Sequence, residues 1–301
     1  MRGALDAGRS TQHAGLRVHA ALTTVALLFS ANYIVSKLAM RSITPLVFAY
    51  LRVVGAAIVL NAIVHDREPL TRRDAWRLAG FAMLAIVINQ TFFLTGLALT
   101  SAHVAAILIT ILPLFVLGIS IAMGRERATA SKIVGIAVAA AGALLVVAGE
   151  GFEGTGKSLL GDLLIIGNSF AYGLYLVVSK PMMARLSARR VIARMFALAS
   201  LMMLPIAAWP LAHENWVAIP PRAWIGLALV IAGPTVGAYL LNAWALRHAD
   251  SSLVAGYTYL QPVITAVLAA LYLGEVMRPM VIAAALMIFA GVYLASRVGG
   301  R

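Results

Sequence analysis

Side chains that can hydrogen-bond a polar solute recur at helical spacing inside long apolar stretches of this sequence. Asn168, Tyr172 and Tyr175 follow a spacing of i, i+4 and i+7, which places them on one face of a helix. Because polar groups are costly in lipid, such a face should turn toward a helix-bundle interior or a wet cavity. Amides and hydroxyls would bind a polar solute, and aromatic rings would supply apolar walls. The predicted binding set is Asn32, Asn89, Phe93, His103, Thr110, Asn168, Tyr172, Tyr175, Asn242, Tyr259 and Gln261. Further candidates lie on the same helical faces or beside them: Phe29, Ser36, Gln90, Ser179, Tyr239, Trp244, Ser252 and Tyr257.

The same residues have a second interpretation, since polar side chains also hydrogen-bond between packed helices without touching a ligand. Pro113 and Pro262 each remove a backbone hydrogen bond in the middle of a predicted helix. They predict helix kinks, which would act either as hinges for gating or as static bends. No cluster of His, Asp or Glu occurs inside the apolar stretches. The sequence therefore predicts no metal site, no cofactor and no enzymatic activity.

The composition indicates a membrane protein. Of the 301 residues, 62% are hydrophobic and only 12% are charged, about half the charged share of a soluble domain. A bilayer would solvate the apolar surface that a soluble fold would expose to water. The net charge is +13, but the basic residues lie between apolar runs, which argues against a nucleic-acid partner. The absence of cysteine excludes disulfides and thiolate metal sites.

Ten stretches are apolar and long enough to cross a bilayer, for which a helix needs about 20 residues. Numbered spans 1 to 10 in order, they cover residues 18–38, 44–64, 76–98, 102–123, 130–149, 159–180, 192–212, 223–246, 251–273 and 279–297. They lack the polar–apolar alternation of barrel strands. We therefore predict an all-α integral membrane protein with ten transmembrane helices.

The distribution of Lys and Arg predicts the orientation, because cytoplasmic loops are enriched in both. With a cytoplasmic N-terminus, 18 of these residues lie in inside segments and 5 in outside segments, and Arg52 lies within span 2. This bias places both termini in the cytoplasm. The expected location is the plasma membrane, specifically a bacterial inner membrane.

The two halves of the chain repeat one another. Residues 110–126, TILPLFVLGISIAMGRE, align with residues 259–275, YLQPVITAVLAALYLGE, at an offset of 149. Upstream, FSANYIVSK aligns with YGLYLVVSK at an offset of 143. Because each half has five spans, the second half must enter the membrane from the opposite side, which gives two inverted repeats. The predicted organisation is a tail (1–17), a first repeat (18–149), a Gly-rich extracytoplasmic linker (150–158), a second repeat (159–297) and a second tail (298–301).

These segments resemble the drug/metabolite transporter superfamily, in its ten-helix branch with two EamA-type repeats. The likeness rests on FSANYIVSK, on PLVFAYLR ending at Arg52, on the segment from Pro113 to Glu126, and on their counterparts in the second half. It covers roughly residues 18–297. The resemblance implies a central cavity surrounded by helices of both halves, with the last helix of each half peripheral. It also implies transport of amino acids, other small metabolites, nucleotide sugars or drug-like cations.

Arg52 is the conspicuous charge within a span. It would anchor an anionic group such as a carboxylate, or it would serve structure by reaching the interface or capping a carbonyl. The resemblance includes this arginine and no carboxylate partner is evident, so we favour the structural role. His103, which lies near a helix end, is the candidate for titration near neutral pH. Proton coupling and facilitated diffusion both remain open.

Four further charges lie near span ends. Glu126 and Glu275 follow spans 4 and 9, and we expect them to cap the next helix rather than to couple protons. Lys37 and Lys180 end spans 1 and 6 at opposite faces. Reaching the lipid–water interface explains both lysines, and a paired gating role is the alternative.

Residues 151–158, GFEGTGKS, match the phosphate-loop pattern G-x-x-x-x-G-K-[ST]. That motif needs a soluble sheet and an acidic magnesium ligand, whereas here it joins two spans, which argues against nucleotide hydrolysis.

The predicted function is export of amino acids or related small metabolites by alternating access around a central cavity. Uptake, or export of drug-like organic cations, is the alternative. The expected partners are a small-molecule substrate and membrane lipid, with a homodimer through the Gly- and Ala-rich spans 5 and 10 as a further option.

Overall fold

The computed structural model describes residues 2–64, 71–125, 127–151, 156–248, 257–276 and 278–296. All regular structure in these residues is helical. The α-helices are α1 (Arg2–Ala39), α2 (Pro45–Ile63), α3 (Arg72–Ala82), α4 (Asn89–Leu99), α5 (Ala102–Ile109), α6 (Leu112–Ala122), α7 (Ala130–Gly151), α8 (Gly156–Arg185), α9 (Ala188–His213), α10 (Pro221–Val230), α11 (Ala238–His248), α12 (Leu260–Leu273) and α13 (Pro279–Ser296).

The apolar helices confirm an all-α membrane fold. Seven helical stretches within the described residues are long and apolar enough to cross a bilayer. Three shorter apolar helices cover residues 130–145, 260–273 and 279–291. Together they occupy the positions of the ten predicted spans. The first helix already begins at Arg2, although its membrane-length apolar part starts at Arg17, so part of the predicted N-terminal tail is helical.

Local sequence signals begin and end several of these helices. Pro45 occupies the first turn of α2, where its missing N–H has no helical partner to lose. The Thr71 hydroxyl caps α3 by accepting a hydrogen bond from the Asp74 backbone N–H at 3.1 Å. Gly124 and Gly274, which follow α6 and α12, have φ angles of 67° and 68°. Glycine adopts this left-handed conformation without strain, so both spans end in a tight turn.

Spans 3, 4, 8 and 9 are interrupted, and the interruptions correspond between the two halves. Spans 3 and 8 contain π-helical segments at Met83–Ile88 and Ile231–Gly237, which the repeat offset of 149 superimposes to within a residue. Span 4 breaks between α5 and α6, and a 3₁₀ turn, Tyr257–Tyr259, precedes α12 in span 9. Such irregular helical turns concentrate at functional sites. The middle of these four spans is therefore a candidate region for a functional site.

The two prolines of the repeat lie at these breaks rather than in mid-helix. Pro113 is in the first turn of α6, and Pro262 is in the first turn of α12. Proline is tolerated there because the first N–H groups of a helix lack intrahelical partners. The expected mid-helix position is thus corrected: the prolines begin a new helix. Their role in gating stays a prediction.

Spans 5 and 10 pack against each other. Helices α7 and α13 approach closely at Gly142 and Gly291, which are 149 residues apart in the sequence. Without a side chain at these positions, the two backbones come within van der Waals distance. The small-residue faces considered for a homodimer therefore make a contact within the chain. The homodimer itself stays a prediction.

Ion pairs join span ends at both ends of the bundle. The Lys37 ammonium, at the end of span 1, contacts Glu275, after span 9, at 2.8 Å, and also donates to the carbonyl of Thr100, at the end of span 3, at 2.6 Å. At the start of span 3, and hence at the opposite face, Asp74 pairs with Arg185 at the end of span 6, at 3.0 Å. We call these the Lys37 face and the Asp74 face. Span 1 ends at the first face, whereas span 6, its counterpart, ends at the second.

Candidate binding cavity

A cavity of about 180 Å³ lies between the two halves, at the level of the helix interruptions. Its walls come from spans 1, 2, 3, 4, 6, 8 and 9. The described residues that line it are Phe29, Asn32, Tyr33, Arg52, Asn89, Gln90, Phe93, Ile109, Leu112, Asn168, Ser169, Tyr172, Tyr239, Asn242, Thr258 and Gln261. The cavity is smaller than sites for drug-sized ligands, which span about 300–1,000 Å³. Its volume suits a small solute.

Most of the predicted binding residues meet in this cavity. Seven of them line it: Asn32, Asn89, Phe93, Asn168, Tyr172, Asn242 and Gln261. Of the further candidates, Phe29, Gln90 and Tyr239 also line it, whereas the described lining does not include Ser36, Ser179, Trp244 or Tyr257, and Ser252 lies outside the described residues. Contact with a solute stays a prediction for each residue.

Two predicted binding residues lie elsewhere. The ring Nδ1 of His103 donates to Glu275 at 2.9 Å, near the Lys37 face, and His103 is not among the lining residues described. The Thr110 hydroxyl is buried and donates to the carbonyl of Ile107 at 2.6 Å. Thr110 therefore satisfies a backbone acceptor at the break in span 4, and its polarity serves the fold.

Two others lie outside the lining for different reasons. Tyr175 is buried behind the wall, with its ring centroid 5.5 Å from that of Tyr172 and 6.0 Å from that of Phe81. Tyr175 thus supports Tyr172 from one helical turn away. Tyr259 belongs to the 3₁₀ turn before α12, but its side chain lies outside the described part of the structure.

Glu126, which we expected to cap the helix after span 4, also lies outside the described residues.

Five lining residues gave no usable signal in the sequence: Tyr33, Ile109, Leu112, Ser169 and Thr258. Tyr33 and Ser169 each follow a predicted residue, Asn32 or Asn168, so the cavity-facing strip is wider than one side chain. Ile109 and Leu112 are apolar and cannot be told from core residues by polarity. An apolar wall is nevertheless a normal part of a small-molecule site.

Corresponding positions of the two halves line the cavity together. Phe29 and Tyr172 are related by the offset of 143, and four more pairs by the offset of 149: Gln90 and Tyr239, Phe93 and Asn242, Ile109 and Thr258, Leu112 and Gln261. In the last three pairs the first half supplies an apolar side chain and the second half a polar one. The repeat therefore organises the cavity as well as the helices.

Amide side chains connect the halves across the cavity wall. Asn89 of α4 donates to the side-chain oxygen of Asn168 of α8. Gln90 donates to the oxygen of Asn89 at 2.9 Å. The Gln90 oxygen is buried and has no hydrogen-bond partner among the residues that the structure describes. Because a buried acceptor without a partner is unfavourable, this oxygen is available to a donor on a bound solute.

Arg52 is the charged member of the described lining, and its side chain is 3% exposed. Its Nε donates to the Thr235 hydroxyl at 2.7 Å, and Thr235 donates to the Val230 carbonyl at 2.7 Å. Thr235 belongs to the π-helical segment of span 8, so this segment fixes one edge of the guanidinium. Arg52 does not reach the interface, and its Nε bonds a hydroxyl rather than a carbonyl. The structural role expected for Arg52 therefore explains the hydrogen bond of Nε, but it does not explain the burial of Nη1, which has no hydrogen-bond partner among the described residues.

A second polar cluster, the Glu275 cluster, lies at the Lys37 face and consists of Lys37, Thr100, Ala102, His103 and Glu275. The Glu275 carboxylate accepts from the Lys37 ammonium at 2.8 Å, from the Ala102 backbone N–H at 2.9 Å and from His103 Nδ1 at 2.9 Å. Burial raises the pKa of Glu275, but the hydrogen bonds from His103, Lys37 and Ala102 outweigh it and hold the pKa at about 2. The carboxylate is therefore ionised at neutral pH.

The position of Glu275 corrects its expected role. It was expected to cap the next helix, α13. Instead it caps the N-terminus of α5, which belongs to the other half of the chain, through the N–H groups of Ala102 and His103. A carboxylate is favourable there because helix N-termini carry unsatisfied donors and a positive dipole end.

A polar cavity enclosed by apolar, membrane-length helices from two related halves defines a membrane transport protein. The chain belongs to the EamA-like transporter family, whose sequence model matches residues 17–148 and again residues 159–297. This confirms the resemblance to the drug/metabolite transporter superfamily. The two matches cover both halves of the chain.

Individual relatives agree with this assignment. The chain is 28% identical over 282 residues to an uncharacterized transporter of Archaeoglobus fulgidus, covering 92% of this chain and 96% of the relative. It is 24% identical to the protein WALLS ARE THIN 1 of Arabidopsis thaliana, covering 92% and 82%. A solved protein structure superimposes with a TM-score of 0.62 at 18% identity and covers 96% of this chain and 99% of that one. This structural comparison shows that the two proteins share a fold.

Proposed function

We propose that this chain exports amino acids or related small metabolites by alternating access around the central cavity. The observation that carries the proposal is the shared lining, in which five pairs of corresponding positions from the two halves enclose one polar space. A site at the interface of two repeats is the arrangement that lets one binding site open to either face. Uptake of the same solutes is the alternative direction.

The span ends support an inverted repeat. Span 1 ends at the Lys37 face, where Lys37 contacts Glu275, and span 6 ends at the Asp74 face, where Arg185 contacts Asp74. Spans 1 and 6 therefore run in opposite senses, as an inverted repeat requires. Two similar halves of opposite orientation can exchange conformations, which is the physical basis of alternating access. With the Lys and Arg bias, this arrangement supports a topology with both termini in the cytoplasm and the Lys37 face outside.

The Glu275 cluster supports a closed Lys37 face. It joins ends of spans 1, 3 and 4 to the end of span 9, and hence connects the two halves. At the same face, the Thr44 hydroxyl donates to Glu214, after span 7, at 2.7 Å. These contacts would have to break before the halves could separate on this side. We therefore assign the structure to a state that is closed on the outside.

The cavity favours small polar solutes over drug-like organic cations. Its volume of about 180 Å³ is below that of drug-sized sites. Its described lining contains six side-chain amides, each of which offers both donors and an acceptor: Asn32, Asn89, Gln90, Asn168, Asn242 and Gln261. No Asp or Glu occurs in that described lining, and the positive charge of Arg52 there would repel an organic cation.

The transport proposal is tested by counterflow in proteoliposomes with a panel of labelled amino acids. We expect exchange of at least one of them by the native protein. Tyr172→Ala should raise the half-saturation concentration about tenfold, because a partly buried ring and its hydroxyl leave the cavity wall. Tyr272→Ala is the matched control, since Tyr272 is 65% exposed on α12.

The outcomes of this experiment separate two conclusions. If no solute in the panel exchanges, export of amino acids is refuted. If exchange occurs and Tyr172→Ala behaves like Tyr272→Ala, transport stands but the cavity assignment does not.

The topology is tested by single cysteines, which are clean probes because the sequence contains none. Lys157 and Arg73 are both exposed in the structure. A membrane-impermeant maleimide should label Lys157→Cys in intact cells, because Lys157 lies in the linker that we predict to be outside. It should label Arg73→Cys only after lysis. Labelling of both from the same side would contradict the proposed orientation.

A further inference from the structure

The central cavity carries one fixed charge in its described lining. Arg52 supplies it, and no Asp or Glu lines the cavity within the residues that the structure describes. A guanidinium stays protonated under all physiological conditions, so this charge cannot be removed by titration. Burying such a charge without an anion is strongly unfavourable. The cavity is therefore electrostatically prepared for an anionic group.

The hydrogen bonds of Arg52 leave part of its guanidinium unused. Thr235 binds Nε at 2.7 Å. The Nη1 atom is buried and has no hydrogen-bond partner among the described residues. Arginine presents its donors in a planar fork, so a residue that fixes Nε also fixes the direction of the two Nη atoms. Thr235, held in turn by the Val230 carbonyl, thus orients a free donor in the cavity wall.

The neighbours of Arg52 also suit an anion. Arg52 shares the described lining with two residues that carry phenolic hydroxyls, Tyr172 and Tyr239. Phenolic hydroxyls can donate to a carboxylate oxygen beside a guanidinium. The cavity therefore offers neutral donors around its cation, and its small volume leaves room for one compact anionic group.

We propose that Arg52 binds the carboxylate of the transported solute through its Nη atoms. This inference rests on the proposed transport function and names the chemical group that the site recognises. Charge-assisted, bidentate bonds between guanidinium and carboxylate are among the strongest hydrogen bonds in proteins, and in a site shielded from water they dominate selectivity. Solutes that lack the carboxylate leave Nη1 unpaired and bind weakly.

The test compares acids with their matched amides: L-alanine, L-leucine and L-phenylalanine against the corresponding amino-acid amides. Binding is measured as the rise in unfolding temperature of the purified full-length protein, and transport as counterflow in proteoliposomes. The native protein should bind at least one acid about tenfold or more tightly than its amide, since a hydrogen bond to a charged group is worth about 10- to 100-fold. Equal binding of acids and amides, or no binding of any acid, overturns the proposal.

Two substitutions separate recognition from structure. Arg52→Lys and Arg52→Gln both lose the Nε–Thr235 bond, but Lys keeps the charge. Arg52→Gln should bind acid and amide equally, and Arg52→Lys should retain part of the preference for the acid. Arg222→Gln, at an exposed arginine of α10, should match the native protein. Loss of the preference to the same extent in the Lys and Gln variants, or its retention in Arg52→Gln, refutes carboxylate binding by Arg52.

The two measurements keep this inference apart from the proposed function. Binding of acids that depends on Arg52, without counterflow of any solute, would refute transport and leave the carboxylate site in place. Counterflow without a preference for acids would support transport and refute the carboxylate site. If Arg52→Gln does not fold, Arg52→Lys and the comparison of acids and amides with the native protein still test the proposal, and equal binding of acids and amides overturns it.

Discussion

Replacing Glu275 with Gln is expected to open the Lys37 face at least about tenfold more often. The carboxylate is bound by the Lys37 ammonium, the His103 ring and the Ala102 backbone N–H, all within 3 Å. The amide keeps the shape of the side chain but loses its charge. The ion pair is partly buried, with side-chain exposures of 22% for Lys37 and 14% for Glu275. A cost of about 1.4 kcal/mol, roughly half that of breaking a fully buried pair, already corresponds to a tenfold change. A cost of this size shifts a two-state equilibrium toward the open conformation.

The opening is measured with a single cysteine at Ser169, a small residue of the cavity wall. In inverted and right-side-out vesicles, a membrane-impermeant maleimide should label Ser169→Cys faster from the Lys37 side when Glu275 is Gln. Glu214→Gln is the control, because Glu214 binds Thr44 at the same face through exposed hydrogen bonds, which contribute about 1 kcal/mol or less. Equal labelling rates with Glu and Gln at position 275 would show that the cluster does not hold the face closed.

The same cluster predicts a pH dependence. The folded-state pKa of Glu275, about 2, lies below its ordinary value of 4.5. The carboxylate therefore stabilises the folded, closed protein fully above pH 4.5 and progressively less as the pH falls toward about 2. The difference in unfolding temperature between the native protein and Glu275→Gln should stay constant from pH 8 to about 5 and shrink below that. Glu275 thus does not take up a proton near neutral pH while the cluster is intact.

Gly291→Val is expected to destabilise the protein by about 1–3 kcal/mol, the usual range for overpacking. A Cβ atom at Gly291 would lie 2.5 Å from the backbone N of Ala139 and 2.5 Å from the backbone O of Gly135. These are backbone atoms of α7, so no side-chain rotation can relieve the overlap, and α7 and α13 would have to move apart. The expected result is a lower unfolding temperature of the purified protein.

Gly118→Val provides the matched control for this prediction. Gly118 is also within a span, in α6, and a Cβ atom there would have no neighbour within 4 Å. The two variants share the change in side chain and helix propensity and differ in packing. An equal unfolding temperature for both would mean that the contact between spans 5 and 10 does not depend on the glycine.

The sequence predicts the membrane fold and much of the cavity because both depend on polarity along a helix. Long apolar runs mark the spans, and polar residues within them, such as Asn89 and Asn168, mark the interior. Helix interruptions were harder to predict. The π-helical segments have no distinctive residue pattern, and Pro113 is compatible with either a kink or a helix start.

The partners of individual side chains could not be predicted because they depend on distant contacts. Glu275 binds residues 172 to 238 positions away in the chain, which no local pattern reveals. Arg52 is bound by Thr235, 183 positions away, so its burial at the cavity wall was not visible in span 2 alone. His103 has the residue type of a ligand-binding or titrating group, and only the fold shows that its ring is engaged by Glu275.

The paired positions of the cavity have an evolutionary consequence. A pocket formed between two identical half-length subunits must carry every wall residue twice, so any substitution alters both sides together. In a single chain with two linked halves, each wall residue mutates independently. In the duplicated sequence, the ring of Phe93 corresponds to the amide of Asn242, and the aliphatic chain of Leu112 corresponds to the amide of Gln261. The cargo preference of such a protein can therefore diverge one side chain at a time, while the scaffold and its symmetry persist.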